Sequence, residues 1–306
     1  MRKEKVTMKD IAKEVNVSLA TISYVLNHSE KEKISHDTRI KVLETAKKMG
    51  YVPNQTAKSL TNNKSNLIGI IINLSSLAST CIKYQYLDLA IELQSQIYKA
   101  GYDTIISITH ELEDIEIVYK HSLAAAFIID VNEKSLKKLT RKYYVPIIFL
   151  DCDFDEGLFY KILPDYTALI KNAKQILDDD HPFLVMDCII NDKLKEQITE
   201  GFSKEDIFIN RNSSNLKDFL TQNISRKGIV LGDVLAVQVE RYIDNNRIVV
   251  ISSSNATDII LADTKRIIVS NKHKAEVAID IFKKLINLKN DEGGHTRILL
   301  QADNLL

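Results

Sequence analysis

The chain of 306 residues has no tryptophan and only three cysteines. An odd, scattered set without a Cys-x-x-Cys pair is typical of reduced thiols in the cytosol and argues against a disulfide framework. No apolar stretch is long enough to span a bilayer, and the basic start of the chain is not followed by a signal-type apolar run. We therefore expect a soluble, cytoplasmic protein without membrane contact.

Motifs of the common enzyme classes are missing as well. The sequence contains no Gly-x-Gly-x-x-Gly, no phosphate-loop lysine motif, no His-Glu-x-x-His and no Gly-x-Ser-x-Gly. The segment Asp151–Gly157 alternates acidic residues as a calcium loop does, but Glu156 replaces the turn glycine and Ile162 the closing glutamate. We expect no enzyme, cofactor or metal site, and we interpret this segment as a polar loop that leaves a buried strand near a cleft.

The net charge is zero, but the two signs are separated along the chain. Residues 1–64 contain 13 of the 41 basic residues and 7 of the 41 acidic ones, whereas the remainder contains 28 basic and 34 acidic residues. A basic end on an acidic body fits one part that faces phosphates while the rest stays away from them. A basic solvated terminus would show the same charge pattern.

The first 50 residues predict three short helices. Thr7, Ser18 and Ser35 take the capping positions before them, and Asn16 lies where the first turn needs a left-handed backbone. Two helices joined by a four-residue turn, with small and polar side chains pointing outward from the second, form a helix-turn-helix. The second helix of that motif fits the major groove of DNA. The spacing alone would also suit another small three-helix domain.

A second element follows from Tyr51 to Leu60. Pro53 closes the preceding segment, and residues 55–60 allow fewer than two turns of helix, which is too short to be stable alone in water. A DNA minor groove would supply the surface that this helix needs, with Leu60 as an apolar wedge between base pairs. An ordinary linker is the alternative.

Residues 6–60 resemble the headpiece and hinge of the lactose-repressor/galactose-repressor (LacI/GalR) family of bacterial transcription regulators. The shared motifs are Val-Thr-x-x-Asp-Ile-Ala, Val-Ser-x-x-Thr-Ile-Ser-x-Val-Leu-Asn, Ser-x-x-Thr-Arg-x-x-Val, Gly-Tyr-x-Pro-Asn and Ala57-x-x-Leu60. The resemblance implies base contacts by Leu19, Ala20, Ser23 and Tyr24. It implies contacts near the phosphate backbone by Thr7, Ser18, Thr21, Asn27, Ser35, Thr38, Tyr51 and Asn54. It implies minor-groove contacts by Ala57 and Leu60.

The family resemblance predicts a homodimeric regulator, by default a repressor, that binds a pseudo-palindromic operator in double-stranded DNA. The recognition helix would enter the major groove and the hinge helix the minor groove. Tyr24 stands where many members carry an Arg that would pair with guanine, so we expect a different half-site here. The alternative is a small-molecule binding module whose headpiece has lost sequence-specific reading, and a gel shift with genomic fragments separates the two.

From Asn66 onward, apolar strands alternate with amphipathic helices. Continuous apolar runs such as Leu67–Leu74, Phe183–Met186 and Ile248–Ser252 are typical of buried parallel strands. The alternation predicts an α/β core of two doubly wound parallel-sheet subdomains. This layout resembles the core of the family, which is similar to periplasmic sugar-binding proteins.

These predictions divide the chain into a headpiece at 1–50, a hinge helix and linker at 51–65, and an effector and dimerisation core at 66–306. Within the core we expect an N-subdomain at about 66–162 and 271–296 and a C-subdomain at about 163–270 and 297–306.

The residues for effector binding are less well defined. Relatives that bind sugars or nucleobases usually keep an Arg in the second half, an Asp-Asn pair and a late Asp. Here Pro164-Asp165-Tyr166 stands near the position of the pair and Ser252-Ser253-Ser254 near that of the late acid. Tyr84, Tyr86 and Phe154 are the aromatic residues that could stack on a sugar ring. Candidates for contacts with a small-molecule effector are Tyr84, Asp151, Asp153 and Asp165, and a protein effector stays open.

Overall fold

The computed structural model describes residues 6–26, 34–49, 51, 66–110, 123–140, 145–254, 259–286 and 295–305. These residues form a helical headpiece and a core of two lobes, each built on a six-stranded sheet. The predicted helical headpiece and the α/β core of two parallel-sheet subdomains are therefore confirmed, whereas the predicted hinge helix lies outside the described residues. Within the described ranges, no helix combines the length and the apolar character that a membrane crossing requires.

The headpiece contains α1 (Met8–Val15), α2 (Leu19–Leu26) and α3 (His36–Lys48). Thr7 precedes α1, and both its N–H and its hydroxyl donate to the Asp10 carboxylate, at 2.8 and 2.6 Å. These hydrogen bonds lower the pKa of Asp10. The turn after α1 places Asn16 at φ 58°, as predicted. Helix α3 ends at Lys48, and Gly50 lies outside the described residues.

The three headpiece helices enclose one small apolar core. Its buried members come from all three helices and are listed here: Ile11, Val15, Ile22, Val25, Leu26, Val42 and Ala46. Because these residues recur every three or four positions, each helix turns one stripe inward and leaves the other side to solvent.

Lobe 1 contains the first sheet, whose strands are all parallel and lie in the order β11, β5, β4, β3, β1, β2. The strands are β1 (Leu67–Leu74), β2 (Asp103–His110), β3 (Ala125–Ile129), β4 (Ile147–Leu150), β5 (Tyr160–Pro164) and β11 (Arg297–Leu300). Its helices are α4 (Thr80–Lys99), α5 (Glu133–Thr140) and α10 (Asn271–Ile286). Ile70 and Ile72 of β1 join one apolar cluster and Ile71 joins another, so the sheet is covered on both faces.

Lobe 2 contains the second sheet, in the order β12, β10, β9, β8, β6, β7. The strands are β6 (Phe183–Asp187), β7 (Ile207–Asn210), β8 (Gly228–Leu231), β9 (Ile248–Ser252), β10 (Lys265–Ile268) and β12 (Asn304–Leu305). Its helices are α6 (Tyr166–Leu177), α7 (Asp192–Thr199), α8 (Leu216–Gln222) and α9 (Asp233–Val239). Only the short β12 runs antiparallel to its neighbour, β10.

Some elements differ from the sequence-based prediction. The first turns of α4, residues 80–86, were not predicted as helix; the side chain of Ser79 caps this start by accepting from the Ile82 N–H at 3.2 Å. Strand β5 was not predicted, since Lys161 interrupts its apolar run, although this lysine is buried. Helix α7 was not predicted either.

The chain passes between the lobes three times, after β5, after β10 and after β11. We expected residues 297–306 in the second subdomain, and for 297–300 this is wrong. Strand β11 pairs with β5 in lobe 1, with Arg297 beside Lys161 and Leu300 beside Pro164. Only β12 joins the sheet of lobe 2. A short apolar strand has no sequence feature that selects between two sheet edges, because both offer unpaired backbone groups.

The packing of lobe 2 predicts a site that does not tolerate a methyl group. A Cβ on Gly228, the first residue of β8, would lie 2.1 Å from ring atoms of Phe183. We expect Gly228→Ala to lower the free energy of unfolding by about 1–3 kcal/mol, because the ring has to leave its buried position. Urea denaturation measures the change. Gly157→Ala is the matched control, since nothing lies within 4 Å of its added Cβ. Equal urea midpoints for both variants would contradict the prediction.

Candidate functional site

One surface of the headpiece brings together residues predicted to contact DNA. Thr7, Leu19, Ala20 and Ser23 line the same concave surface with Met8 and Lys9. Leu19 is 43% exposed although it is apolar. Ser23 and Tyr24 are half-buried, and the opposite side of α2 packs into the headpiece core. The outward face of α2 thus carries all four of the predicted base contacts.

Predicted phosphate contacts lie in the first turns of the headpiece helices. The Oγ of Ser18 accepts from the Thr21 N–H at 3.0 Å, and the Oγ of Ser35 accepts from the Thr38 N–H at 3.3 Å. Helix N-termini favour anions, because their first N–H groups have no partner within the helix and the helix dipole is positive there. These hydroxyl side chains therefore stand where a phosphate group would be stabilised.

The remaining predicted DNA contacts belong to the end of the headpiece and to the hinge. Tyr51 packs against the headpiece core, its N–H donates to the Ala46 carbonyl at 2.9 Å, and burial raises the pKa of its hydroxyl. Four predicted contacts, Asn27, Asn54, Ala57 and Leu60, lie outside the described residues.

The effector candidates do not converge on one pocket. Both oxygens of Asp151 accept from the buried Lys274 ammonium, at 2.6 and 2.8 Å. Asp165 caps α6 by accepting from the Ala168 N–H at 3.2 Å. Tyr84 is exposed on α4, in a groove between α4 and α9. Two of these candidates therefore serve the fold, and the third lies on a separate surface.

The fourth candidate, Asp153, is fully buried at the contact between the lobes. Its Oδ2 accepts from Gln197 Nε2 at 2.7 Å and from Arg297 Nε at 2.9 Å. Tyr86 and Phe154, considered above for stacking on a sugar, are buried in the core of lobe 1. No sugar ring reaches either of them in this arrangement.

The acidic loop Asp151–Gly157 is organised around a lysine. Lys161 Nζ donates to the carbonyl of Phe154 at 2.9 Å and to that of Glu156 at 2.6 Å. It also lies 4.8 Å from the centre of the Phe154 ring, a cation–π distance. Burial lowers the pKa of this lysine. The carbonyl oxygens that face inward from the loop therefore hold an ammonium group of the chain itself.

Asp130 is a residue that the sequence analysis missed. It follows β3 directly, adopts φ 57° and is only 1% exposed. Its carboxylate accepts from the Tyr86 hydroxyl at 2.9 Å and from the backbone N–H groups of Ile190 and Asn191, both at 2.9 Å. Burial raises its pKa from 3.8 to about 7, and this effect outweighs the hydrogen bonds, which lower the pKa. A polar residue directly after a buried parallel strand was the available signal.

Asp187 plays a similar part at the end of β6. Its carboxylate accepts from the Ser79 hydroxyl of lobe 1 and from Asn210 Nδ2 at 2.8 Å. Burial raises the pKa of Asp187 to about 6. Two buried carboxylates, one from each sheet, thus accept hydrogen bonds across the boundary between the lobes.

The described residues thus combine a helix-turn-helix headpiece with a core of two parallel α/β lobes. Residues 7–54 match the family model described as bacterial regulatory proteins, lacI family. The resemblance to the LacI/GalR family found in the sequence is confirmed by this match and by the similar proteins that follow.

Curated relatives agree with the family. The chain is 38% identical over 184 residues to the HTH-type transcriptional regulator MalR of Staphylococcus xylosus. The matched region covers 58% of this chain and 53% of that protein. The chain is 31% identical over 182 residues to the catabolite control protein A of Priestia megaterium, covering 57% of this chain and 52% of that protein. The matched region thus spans about half the length of these relatives.

Solved structures share the fold over most of the chain. A lac repressor dimer bound to operator and the anti-inducer ONPF superposes with a TM-score of 0.56 at 16% identity, covering 99% of this chain and 98% of that one. A LacI family transcription regulator from Clostridium acetobutylicum gives a TM-score of 0.57 at 17% identity, covering 78% and 98%. Identities this low establish the likeness of the fold alone.

The raised pKa of Asp130 predicts how stability changes with pH. The folded-state pKa of about 7 lies above the ordinary 3.8 expected in the unfolded chain. The folded state therefore binds this proton more tightly, and the resulting stability is lost as the pH rises through 7. We expect the thermal midpoint of the wild type to fall between pH 5.5 and 8, by more than that of Asp130→Asn, which cannot titrate.

The matched comparison is Asp165→Asn, which replaces a partly exposed carboxylate that caps α6. This variant should keep the wild-type pH dependence. An equal slope for the wild type and Asp130→Asn would refute the assignment of the titration to Asp130.

Proposed function

We propose that this chain is a transcription regulator, by default a repressor, that binds a pseudo-palindromic operator as a homodimer. The observation that carries the proposal is the outward face of α2, where Leu19, Ala20, Ser23 and Tyr24 lie on the side away from the buried Ile22, Val25 and Leu26. A helix of this kind inserts into the major groove and reads base edges with its exposed side chains.

The phosphate backbone would be held on either side of that helix. Thr7, Ser18, Thr21, Ser35 and Thr38 lie at helix N-termini, which supply N–H groups and a favourable dipole for anions. The excess of basic residues in the first 64 positions adds a charge attraction that does not depend on sequence. Asn27, Tyr51 and Asn54 complete the proposed backbone contacts.

We assign the segment at 51–65 to a hinge that forms a helix on the operator, with Ala57 and Leu60 in the minor groove. Its short length and the apolar Leu60 support this role, because such a helix requires a partner surface and an apolar wedge unstacks base pairs. The headpiece then ends near residue 50, and the core begins near residue 66.

A dimer is supported by an apolar surface on lobe 1. Helix α4 carries exposed large apolar side chains at helical spacing, and the neighbouring edge strand β2 carries two more; they are Tyr84, Leu87, Ile91, Tyr98, Ile106 and Ile108. Apolar side chains that recur on one helix face and continue onto an edge strand mark an interface. A second copy related by a two-fold axis presents the same surface and covers it.

The names of relatives support repression as the default. Similar proteins include the probable HTH-type transcriptional repressor ExuR of Bacillus subtilis, at 31% identity, and the sucrose operon repressor of Klebsiella pneumoniae, at 34%. The lac repressor structure with this fold is a dimer bound to operator. Occlusion of a promoter requires DNA binding alone, so repression needs no further surface.

DNA binding is tested with the full chain and genomic fragments. We expect a dimer at micromolar concentration in sedimentation, and an affinity in gel shifts that falls steeply with salt, because phosphate contacts release counterions. Ile91→Glu should weaken the dimer and the operator affinity together. Ile224→Glu changes a comparably exposed isoleucine of lobe 2, which is not part of the apolar surface on α4 and β2, and should leave both unchanged. A monomeric wild type, or binding that is insensitive to salt, would contradict the proposal.

Tyr24 should help to set the half-site. Tyr24→Arg replaces one hydroxyl and a ring with a guanidinium that pairs bidentately with guanine. We expect preference to shift toward a guanine at one symmetric position in each half-site, by about 1–3 kcal/mol per contact. Selection from random duplexes measures the motif of both proteins. Recovery of one and the same motif would show that Tyr24 does not face a base.

A further inference from the structure

The contact between the two lobes is made by buried polar groups of the chain itself. In lobe 1 these groups follow the strands β3 and β4, and in lobe 2 they precede α7. Asp130, Asp153 and Asn191 are each 1% exposed. Groups buried to this degree require hydrogen-bond partners, and here all of them have partners across the boundary.

Asp130 supplies the central contact. Its carboxylate crosses from lobe 1 to accept from two successive backbone N–H groups of lobe 2, those of Ile190 and Asn191. The Tyr86 hydroxyl and the amide of Asn73, which donates to the Asp130 carbonyl at 2.8 Å, hold the residue from within lobe 1. Its left-handed backbone is unfavourable for a residue other than glycine, so the surrounding contacts impose this conformation.

Asn191 makes the reciprocal contact from lobe 2. Its Nδ2 donates to the carbonyls of Val131 and Asp153, at 2.7 and 2.9 Å. Its Oδ1 accepts from the N–H of Asp153 at 3.1 Å and from that of Leu194 at 2.7 Å. One side chain thus caps α7 and bonds two loops of lobe 1, so all its hydrogen-bonding capacity is used.

Little space remains beside these contacts. The cavity between the lobes that Tyr86, Asp151 and Met186 line measures about 30 Å³, and the buried Leu194 and Ile198 of α7 close it from lobe 2. That volume suits a single water molecule, whereas small-molecule sites measure roughly 300–1,000 Å³. A larger groove of about 290 Å³ lies between α4 of lobe 1 and α9 of lobe 2, and neither Asp130 nor Asn191 lines it.

We propose that Asp130 and Asn191 form a latch, a set of direct hydrogen bonds that holds the two lobes together with no small-molecule ligand beside these two residues. The latch occupies the edge where the strands of both sheets end, which is the place where ligands of open α/β sheets bind. The role of the latch in regulation rests on the proposed function. If the chain binds an operator, the latch allows it to do so with neither a hexose nor a purine in the cleft. The latch itself exists whether or not the chain binds DNA.

Amide hydrogen exchange of the full chain, followed by mass spectrometry, tests the latch. In the wild type without added ligand, the amides of Ile190 and Asn191 should exchange at least about 100-fold more slowly than free loop amides. Asp130→Ala should abolish this protection while strand β6 keeps its own, which shows that lobe 2 is folded. Asp130→Asn retains an acceptor oxygen and should give intermediate protection, so the test does not depend on the alanine variant alone.

The control removes a different contact across the same boundary. Lys193 pairs with Asp155, and the side chain of Asp155 is exposed. Asp155→Ala should therefore leave the amides of 190 and 191 protected. Free exchange of these amides in the wild type would overturn the latch, and so would protection that appears only after glucose or adenine is added.

Failure of the latch and failure of the proposed function are distinguishable. If the amides of 190 and 191 are protected but the protein binds no DNA fragment, the latch is supported and the proposed function as a DNA-binding regulator is refuted. If the wild-type protein binds an operator but the amides of 190 and 191 exchange freely, the latch is overturned and the proposed DNA-binding function is supported. Operator affinity that is unchanged by glucose and adenine, in a protein with protected amides, supports both.

Discussion

The parallel direction of the strands determines how the core is held together. Because almost all strands in each sheet run the same way, the polar residues that follow them meet at one boundary between the lobes. Asp130, Asp151, Asp187 and Ser252 all occupy such strand ends and all are buried. Burial of a polar group without a partner costs about 1–3 kcal/mol, and more for a charged group. In this chain the partners come from the other lobe, from α10 and from neighbouring loops.

The acidic loop after β4 shows the same principle. Its sequence resembles part of a calcium loop, because acidic residues alternate from Asp151 to Asp155. In the fold, each of these groups already has a cation of the chain: Lys274 for Asp151, Arg297 for Asp153 and Lys193 for Asp155. Alternation of charge along the sequence therefore identified a loop of closely spaced acids, but their counter-charges come from distant helices and from β11.

The sequence predicted those features that are local. Capping by Ser18 and Ser35 and the left-handed Asn16 follow from residue type and spacing, and strands such as Leu67–Leu74 are continuous apolar runs. It did not predict β5, since burial of Lys161 depends on the two carbonyls that receive its ammonium. It also did not predict the contact between Asp130 and Asn191, because 61 positions separate them and the pairing arises only when the lobes meet.

Helix α4 connects the contact between the lobes with the proposed dimer surface. Its inner side carries Tyr86, which donates to Asp130, and its N-terminus begins at Ser79, which donates to Asp187 of lobe 2. Its outer side carries the exposed Leu87 and Ile91. An opening of the lobes would have to break the contacts made by the inner side, and it would thereby displace the outer side as well, because a packed helix moves as a rigid element. In the proposed dimer, the spacing of the two headpieces therefore depends on whether the lobes stay together.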